Sequence, residues 1–471
     1  MRRLVVTLIA GVGAIALGVV GVGVASASRT ATAPVITGQP RDATVPLGRS
    51  AHFTVEVTGS PRPTYQWQGA GTGGTFTDVA GATRDKLKVT SSLADDGDSY
   101  RVVVTNGSGS VVSAPAVLEV GPSRTVAGVK PLVSGLIDKG SEASYQTSSP
   151  FPVTPTSELD GYATAFTGIV VNVTWAQLEP SAGTFDFTDL NASLAAVPAY
   201  NQADPATPME VKLRVWGGFT APDWAKSLDG PPIEVPAFPD HPETATIGRY
   251  WLADYEQRWS DLQGALARQY DNDPLLDQVA VTSCNTATGE PFVSNRTIDT
   301  VLVAAGWSGA DQQQCLENAL PGYAAWRHTA VDFTVNGFSY VSSAGVSSPD
   351  FAVTEAVMNQ CASSETTGTA PECILDNHGL TDTITTQQAP VYGEIDALWG
   401  QYDHLVPVDF QTIAPGGFDL CSAVGVAVSE HAQSVEVWPP GAGSSGFQAY
   451  TPAQLTDWNQ ALIRDDQPSC P

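Results

Sequence analysis

Three carboxylates in the second half of the chain stand where they could do acid–base chemistry. Glu290 lies one residue before the end of the stretch LDQVAVTSCNTATGEP, Leu276–Pro291, in which an apolar run turns into small polar residues. Glu436 in SVEVWPPG and Asp409 in VPVDFQT each interrupt an apolar, β-patterned run. A charged side chain that faces a protein interior is costly unless a partner or a function holds it there. We therefore take these three as the candidate catalytic groups.

A repeating framework is predicted around these carboxylates from Val126 onward. Apolar β-like runs alternate there with helical stretches, which is typical of a parallel α/β domain. Eight runs are interpreted as strands: Val129–Ile137, Gly168–Trp175, Met209–Gly218, Asp277–Ser283, Ala330–Asn336, Cys373–Gly379, Leu405–Thr412 and Gln433–Pro439. Helices are expected at Tyr250–Tyr270, Gln312–Arg327, Val391–Tyr402 and Asp419–His431. The sequence predicts a TIM (β/α)8 barrel over residues 126–471, with a doubly wound open sheet as the alternative.

Charge excludes some classes of partner. The formal net charge is −27, from 49 acidic and only 22 basic residues. Such a balance argues against binding to nucleic-acid phosphates or to anionic membranes.

No metalloprotease HExxH, lipase GxSxG, P-loop or strand-linked GxGxxG motif is present, so we expect no metal and no cofactor.

The first 27 residues resemble an export signal. Arg2 and Arg3 precede a long apolar run, and Ala25-Ser26-Ala27 fits a cleavage site. An uncleaved membrane anchor is the alternative. We expect a secreted or cell-surface protein, monomeric, with residues 28–33 as a linker.

Six cysteines are present, an even number that favours disulfides in an exported chain. The most local pairing is Cys361–Cys373. Cys284–Cys315 would tie the Glu290 loop to the following helix, and Cys421–Cys470 would hold the C-terminal segment.

Residues 34–120 carry the pattern of a β-sandwich. Short alternating runs are separated by Gly/Pro turns, Trp67 lies in YQWQ, and Asp98-x-Tyr100 lies in DGDSYRVVV. These residues resemble the immunoglobulin fold, with Trp67 at the place of the core tryptophan. The two core cysteines of that family are absent, with Phe53 or Val55 and Val102 near their places, so apolar packing alone must hold the sandwich. The resemblance implies a spacer or a binding appendage.

A second resemblance begins at the second predicted barrel strand. NVTWAQLEPSAGTFDFTDLNASL and VKLRVWGGFTAPDWA are similar to the second and third strands of the retaining (β/α)8 glycoside hydrolases, including β-galactosidase-like and endoglycanase-like groups. In that clan the acid/base glutamate follows strand four within Asn-Glu-Pro. Here Gly289-Glu290-Pro291 occupies that position, with Asn285 a few residues earlier. The resemblance therefore implies that Glu290 is the general acid/base.

The second carboxylate departs from that clan. Its nucleophile ends strand seven, where this chain has Gln411, and an amide cannot form a glycosyl ester. Glu436 on strand eight is the better second carboxylate, and pairing with Arg214 is its purely structural alternative. Asp409 shares a face with Gln411 by strand alternation and lies deeper, so it is the fallback.

Other strand ends offer groups that suit a sugar. Tryptophans could stack on sugar rings, and amides, a histidine or an arginine could bind hydroxyl groups. The candidate substrate-binding residues are Trp175, Arg214, Trp216, Asn285, Asn336, Asn377, His378, Gln411 and Trp438. Together they predict a polar, aromatic-lined cleft at the carboxyl ends of the strands.

We expect a secreted glycoside hydrolase that acts on a polysaccharide or glycoside through two carboxylates. The alternative is a non-catalytic glycan-binding or adhesion protein on a degenerate barrel, which the missing strand-seven glutamate favours.

Overall fold

The computed structural model describes most of the chain after residue 30. The described residues are 31–46, 50–71, 74–90, 97–121, 129–140, 161–162, 165–203, 208–236, 244–286, 290–291, 296–342, 347–367, 371–402, 406–413, 417–438 and 446–470. The predicted signal peptide and linker lie outside these residues, apart from the last three linker positions.

The N-terminal region is built from short, mostly antiparallel strands. They are β1 (Thr32–Gly38), β2 (Ala43–Pro46), β3 (Ser50–Thr54), β4 (Glu56–Ser60), β5 (Thr64–Ala70), β6 (Thr77–Asp78), β7 (Lys86–Thr90), β8 (Ser99–Asn106), β9 (Gly109–Val112) and β10 (Ala116–Gly121). The main sheet has the order β2-β10-β8-β5-β6, with β9 on β8, while β1 pairs with β4 and β3 with β7. Trp67, Phe53 and Val102 are fully buried in one core. Apolar packing thus fills the place of the missing cysteines.

The second region is a closed barrel of eight parallel strands, and the prediction of a TIM barrel is confirmed. Its strands in order are β11 (Gly135–Asp138), β12 (Gly168–Thr174), β13 (Glu210–Trp216), β16 (Leu276–Ala280), β17 (Ala330–Thr334), β20 (Cys373–Leu380), β21 (Val408–Thr412) and β22 (Ser434–Val437). The circle closes through parallel pairing of β22 with β11. Two hairpins, β14 (Ile233–Val235) with β15 (Ala245–Ile247) and β18 (Ser339–Val341) with β19 (Ser347–Pro349), lie between barrel strands.

Helices fall between the strands as the repeat predicts. They are α1 (Trp175–Leu178), α2 (Thr188–Ala203), α3 (Asp223–Lys226), α4 (Ala253–Tyr270), α5 (Arg296–Ala304), α6 (Gly309–Ala319), α7 (Phe351–Thr367), α8 (Ala389–Gln401), α9 (Leu420–Ser429) and α10 (Pro452–Ile463). Among the described helices, none combines the length and the apolar character needed to cross a bilayer.

Alternation along β13 shows how the barrel sorts its side chains. Val211, Leu213 and Val215 belong to the large apolar core shared with the helices. Lys212 and Arg214, at the positions between them, are equally buried but ion-paired with carboxylates of other barrel strands. Because successive side chains point to opposite faces of a strand, the outer face is apolar and the interior is charged.

Three disulfides join the cysteines in the predicted pairs. They are Cys284–Cys315, Cys361–Cys373 and Cys421–Cys470. The domain limits at 34–120 and 126–471 stay a prediction.

Candidate active site

Lys212 is the centre of a buried ion cluster in the barrel interior. Its ammonium pairs with Asp332, lies 2.5 Å from Glu436 Oε1 and lies 3.7 Å from Asp376 Oδ2. Burial alone would lower the pKa of Lys212, but the surrounding carboxylates outweigh it and raise the pKa above its ordinary value. Lys212 is therefore a permanent cation.

Carboxylates outnumber cations in this cluster, and two aspartates respond by binding protons more tightly. Burial and the neighbouring charge of Asp376 raise the pKa of Asp332 well above its ordinary range, despite the nearby ammonium. Burial raises the pKa of Asp409 to about 6. Asp409 accepts hydrogen bonds from Gln278 Nε2 at 3.2 Å and from the Ser434 amide at 3.1 Å. These contacts give Asp409 a structural position below the mouth of the barrel.

Glu436 is one of two carboxylates in the cluster that stay ionised, and Asp376 is the other. Arg214 Nη2 donates to both of its oxygens at 2.8 Å. Burial would raise the pKa of Glu436, but Arg214 and Lys212 outweigh it and lower the pKa to about 2. The predicted pairing of Glu436 with Arg214 is present, so Arg214 holds a carboxylate rather than standing open for a substrate.

Glu290 belongs to a hydrogen-bonded chain of three residues. Its Oε1 lies 2.9 Å from His378 Nδ1, and His378 Nε2 lies 2.6 Å from Asp376 Oδ2. The Glu290 side chain is 15 % exposed, whereas those of His378 and Asp376 are 3 % and 1 % exposed. The chain therefore runs from the solvent-facing carboxyl of Glu290 into the buried cluster.

Electrostatics favours a proton within this chain. Burial opposes a charge on His378, but Asp376 and then Glu290 outweigh it and raise the histidine pKa. His378 and Lys212 hold the pKa of Asp376 well below its usual range, although burial acts the other way. Asp376 thus stays an anion that accepts the Nε2 proton. The other ring nitrogen and Glu290 then share one further proton, which is the arrangement that a general acid needs.

The Glu290–His378–Asp376 chain and Glu436 meet in the interior of the barrel. Gln411 on β21 is the register partner of Glu436 on β22. A carboxylate oxygen of Glu436, a ring nitrogen of His378 and an oxygen of Asp376 all lie within 4.8 Å of one another. Glu290 and Glu436 therefore border the same imidazole ring. These groups also resemble a metal-ligand set, but Arg214, Lys212 and Glu290 already occupy their contacts.

Trp175 does not offer a sugar-stacking face, and this prediction is wrong. Thr174 caps helix α1, and Trp175 begins it, fully buried. Its ring packs edge-on against Trp224, Tyr255 and Trp259 at centroid distances of 5.1–5.6 Å. By strand alternation Trp175 lies on the same face as Val171 and Val173, which belong to the outer apolar core, so the indole points away from the barrel interior.

The other two predicted stacking residues, Trp216 and Trp438, already make contacts within the protein. Trp216 is 3 % exposed and donates from Nε1 to Asn172 Oδ1 at 2.9 Å. Trp438 donates to the Thr412 carbonyl at 2.8 Å, and the Lys139 ammonium lies 3.6 Å over the centre of its ring. Lys139 would have to leave that face of Trp438 before a sugar could stack there.

The predicted amide ligands are engaged in contacts within the protein or lie away from Glu290. Asn377 Nδ2 donates to Asn336 Oδ1 at 3.0 Å, and the His378 amide donates to the same oxygen at 3.1 Å. These two residues therefore position His378. Asn285 lines a separate cavity that Glu290 and His378 do not border. Gln411 is buried beside Glu436.

Sequence reasoning missed three residues of the site: Asp332, Asp376 and Lys139. Asp376 could have been found, because it lies two positions before His378 and thus on the same face of the strand. Asp332 shares that alternation on the preceding strand. Lys139 follows a strand of only four residues and carries no comparable signal.

The architecture places this chain among proteins with an immunoglobulin-like region followed by an eight-stranded α/β barrel. Residues 33–106 match the family profile described as "Immunoglobulin domain", which confirms that resemblance.

Comparison with known proteins found similarities to three of them. Endoglucanase C of Cellulomonas fimi is 52 % identical over 96 residues, which is 20 % of this chain and 8 % of that protein. Endo-glycoceramidase II from Rhodococcus sp. is 15 % identical, with a TM-score of 0.39 over 66 % of this chain and 74 % of that one. Titin M4 is 25 % identical, with a TM-score of 0.17 over 20 % of this chain and 100 % of that one. The chain thus spans only a small part of the curated relative that it matches.

Proposed function

We propose that this protein is an exported glycoside hydrolase whose barrel carries Glu290 as the proton donor and Glu436 as the ionised second carboxylate. The observation that carries the proposal is the Glu290–His378–Asp376 chain, which ends at Glu290 in the barrel mouth and borders Glu436. A relative named as an endoglucanase and the three disulfides support an extracellular glycanase.

Proton donation follows from the chain of hydrogen bonds. Asp376 fixes the Nε2–H tautomer of His378, so Nδ1 faces Glu290. When the glycosidic oxygen takes this shared proton from Glu290, the glutamate becomes an anion and His378 keeps only its Nε2 proton. The raised pKa of His378 then favours uptake of a proton from water at Nδ1, which restores the shared proton for the next turnover.

Glu436 supplies a negative charge across the barrel from Glu290. With a pKa of about 2 it is ionised at every working pH, held in one orientation by Arg214. Strands β16 and β22, which precede and carry the two glutamates, lie on opposite sides of the barrel. This placement favours the wider arrangement, about 6.5–9.5 Å between carboxyls, in which the second carboxylate activates water and the anomeric configuration inverts.

A non-catalytic glycan-binding protein is the second candidate. One observation favours it: both oxygens of Glu436 are bound by Arg214, and the strand-seven position is the amide Gln411. A barrel that had lost its reaction would keep such a cluster only for structure and binding.

The test is hydrolysis of aryl glycosides and of cell-wall polysaccharides by the purified chain. We expect product release that falls at least about a hundredfold in Glu290→Gln, as loss of a general acid predicts. The matched control is Glu394→Gln, because Glu394 lies on outer helix α8 and is hydrogen-bonded only to Asn359 in the contacts described. ¹H NMR of the first anomer formed distinguishes inversion from retention. Binding of glycan without turnover by the wild type would identify the second candidate instead.

A further inference from the structure

A second cavity lies beside the loop that carries Glu290, outside the charged interior of the barrel. It has a volume of about 330 Å³ and is bordered by the segment after β16, by helix α4 and by the end of helix α6. Neither Glu290, His378 nor Glu436 lines it. The volume is at the lower end of the about 300–1,000 Å³ typical of small-molecule sites and far exceeds that of one water.

The floor of this cavity is buried and polar. Asn285 is 2 % exposed, and among the described residues its Nδ2 has no hydrogen-bond partner; the buried Ser283 hydroxyl has none among them either. A buried donor without a partner is costly, so each such group indicates a ligand or water that satisfies it. The disulfide Cys284–Cys315 holds this floor against helix α6.

Its walls are aromatic and its rim is open. Tyr250 and Trp259 line the sides, each buried and fixed by a hydrogen bond, to Gln312 at 2.8 Å and to Tyr323 at 3.3 Å. At the rim Ala253, Gln257 and Asn318 are exposed, so the cavity opens to solvent. The space is therefore preformed and accessible.

Two glycines keep the space between the loops. Gly218 has φ +54°, and a Cβ there would lie 2.1 Å from the Thr286 carbonyl oxygen. A Cβ on Gly217 would lie 3.0 Å from the Trp259 ring. Larger side chains at these positions would push the floor and the wall apart.

The lining selects a chemical class of ligand. Among the described lining residues none is Lys or Arg, while Glu256 stands at the rim, so an anion would be repelled. An apolar ligand would leave Asn285 and Ser283 unpaired. Hydroxyl groups that both donate and accept, on a ring that can lie against aromatic side chains, satisfy both features.

We propose that this cavity is a second saccharide site, separate from the barrel mouth, which binds one or two rings of a neutral sugar through Asn285 and Ser283. The site does not depend on hydrolysis. The predicted role of Asn285 in sugar binding would then be correct in kind but would belong to this cavity.

The test uses the full chain carrying Glu290→Gln, so that no probe is hydrolysed. Glucose, N-acetylglucosamine, cellobiose and glycerol are titrated, and binding is followed by saturation-transfer NMR and by tryptophan fluorescence. We expect saturable binding of at least one saccharide and weaker binding of glycerol. If none of the three saccharides binds, the proposal is overturned.

Two variants then locate the site. Ala253→Trp fills the exposed rim and should weaken binding at least about tenfold, while Ala195→Trp, at an exposed position of helix α2, should leave it unchanged. Asn285→Leu should weaken binding similarly if its melting temperature shows that it is folded. Unchanged binding in Ala253→Trp would place the sugar elsewhere and refute the proposal. Hydrolysis and binding are separate readouts, so each proposal can fail alone.

Discussion

Gln411 and Glu436 stand side by side as register partners on neighbouring parallel strands, one an amide and the other a carboxylate. Gln411 is 3 % exposed, and its Oε1 accepts no hydrogen bond from the described residues. Glu436 takes both hydrogen bonds from Arg214. A second carboxylate at position 411 would lie next to an anion that already uses the available cations, so the amide preserves the charge of Glu436.

Gln411→Glu should therefore slow glycoside hydrolysis. The new carboxylate repels Glu436 and disturbs the orientation that Arg214 gives it, and a tenfold loss of rate corresponds to about 1.4 kcal/mol. We expect kcat to fall on the order of tenfold when measured at pH 6. Gln411→Met, of similar volume and without charge, is the control. A gain of activity in Gln411→Glu would instead reveal a barrel that has lost its strand-seven nucleophile.

His378→Gln should change the pH dependence of the rate. The raised pKa of His378 keeps the proton that it shares with Glu290 bound to higher pH, so activity falls only as pH rises through that pKa. Without the imidazole, the alkaline limb of kcat/KM should move to lower pH. The measurement is a pH–rate profile of both proteins. An identical alkaline limb would exclude His378 from the proton chain.

Stability should depend on pH through Asp409. Burial raises its pKa in the folded state to about 6, above the ordinary value of 3.8. The folded state therefore binds this proton more tightly than the unfolded state, and the resulting stability is present below pH 3.8 and lost as pH rises to about 6. Relative to Asp409→Asn, the wild type should lose melting temperature across that range. A constant difference from pH 4 to 7 would argue against a buried, protonatable Asp409.

Lys212→Met should destabilise the barrel strongly. The substitution removes the cation that Asp332, Asp376 and Glu436 surround, and breaking a buried ion cluster typically costs about 3–5 kcal/mol. Lys88→Met is the matched control, because its pair with Asp466 is 42 % exposed on both sides and should be worth about 1 kcal/mol or less. Urea unfolding of both variants gives the comparison. Equal losses in the free energy of unfolding would mean that Lys212 does not hold the cluster together.

The framework could be predicted from sequence because its signal is local. Parallel strands buried on both faces appear as apolar runs rich in Val and Ile, and seven of the eight predicted strands agree with the structure to within three residues at each end. The first strand begins at Gly135, six residues after the predicted start at Val129. The same alternation that puts Val435 in the apolar core puts Glu436 in the interior, so the pairing of Glu436 with Arg214 could be anticipated.

The details of the site depended on contacts that strand patterns do not encode. Trp175 is an exception, because strand alternation from Val171 and Val173 already assigns it to the outer face. Asn285 follows its strand by several residues, and its direction is set by a disulfide and two glycines rather than by strand alternation. Glu290 meets His378 through a loop closure between distant segments, which no spacing reveals.

The bridge between Cys421 and Cys470 has a mechanical consequence for the barrel. Strand β22 and helix α10 lie inside the covalent ring that this bridge closes across a sequence separation of 49, and β22 is the strand that seals the circle against β11. A final strand is ordinarily the first to peel away when a sheet frays, and the edge so exposed invites proteases or pairing with another chain. Here the bridge ties the segment after α10 back to helix α9, so unravelling that starts beyond α10 stops at Cys470 before it reaches β22.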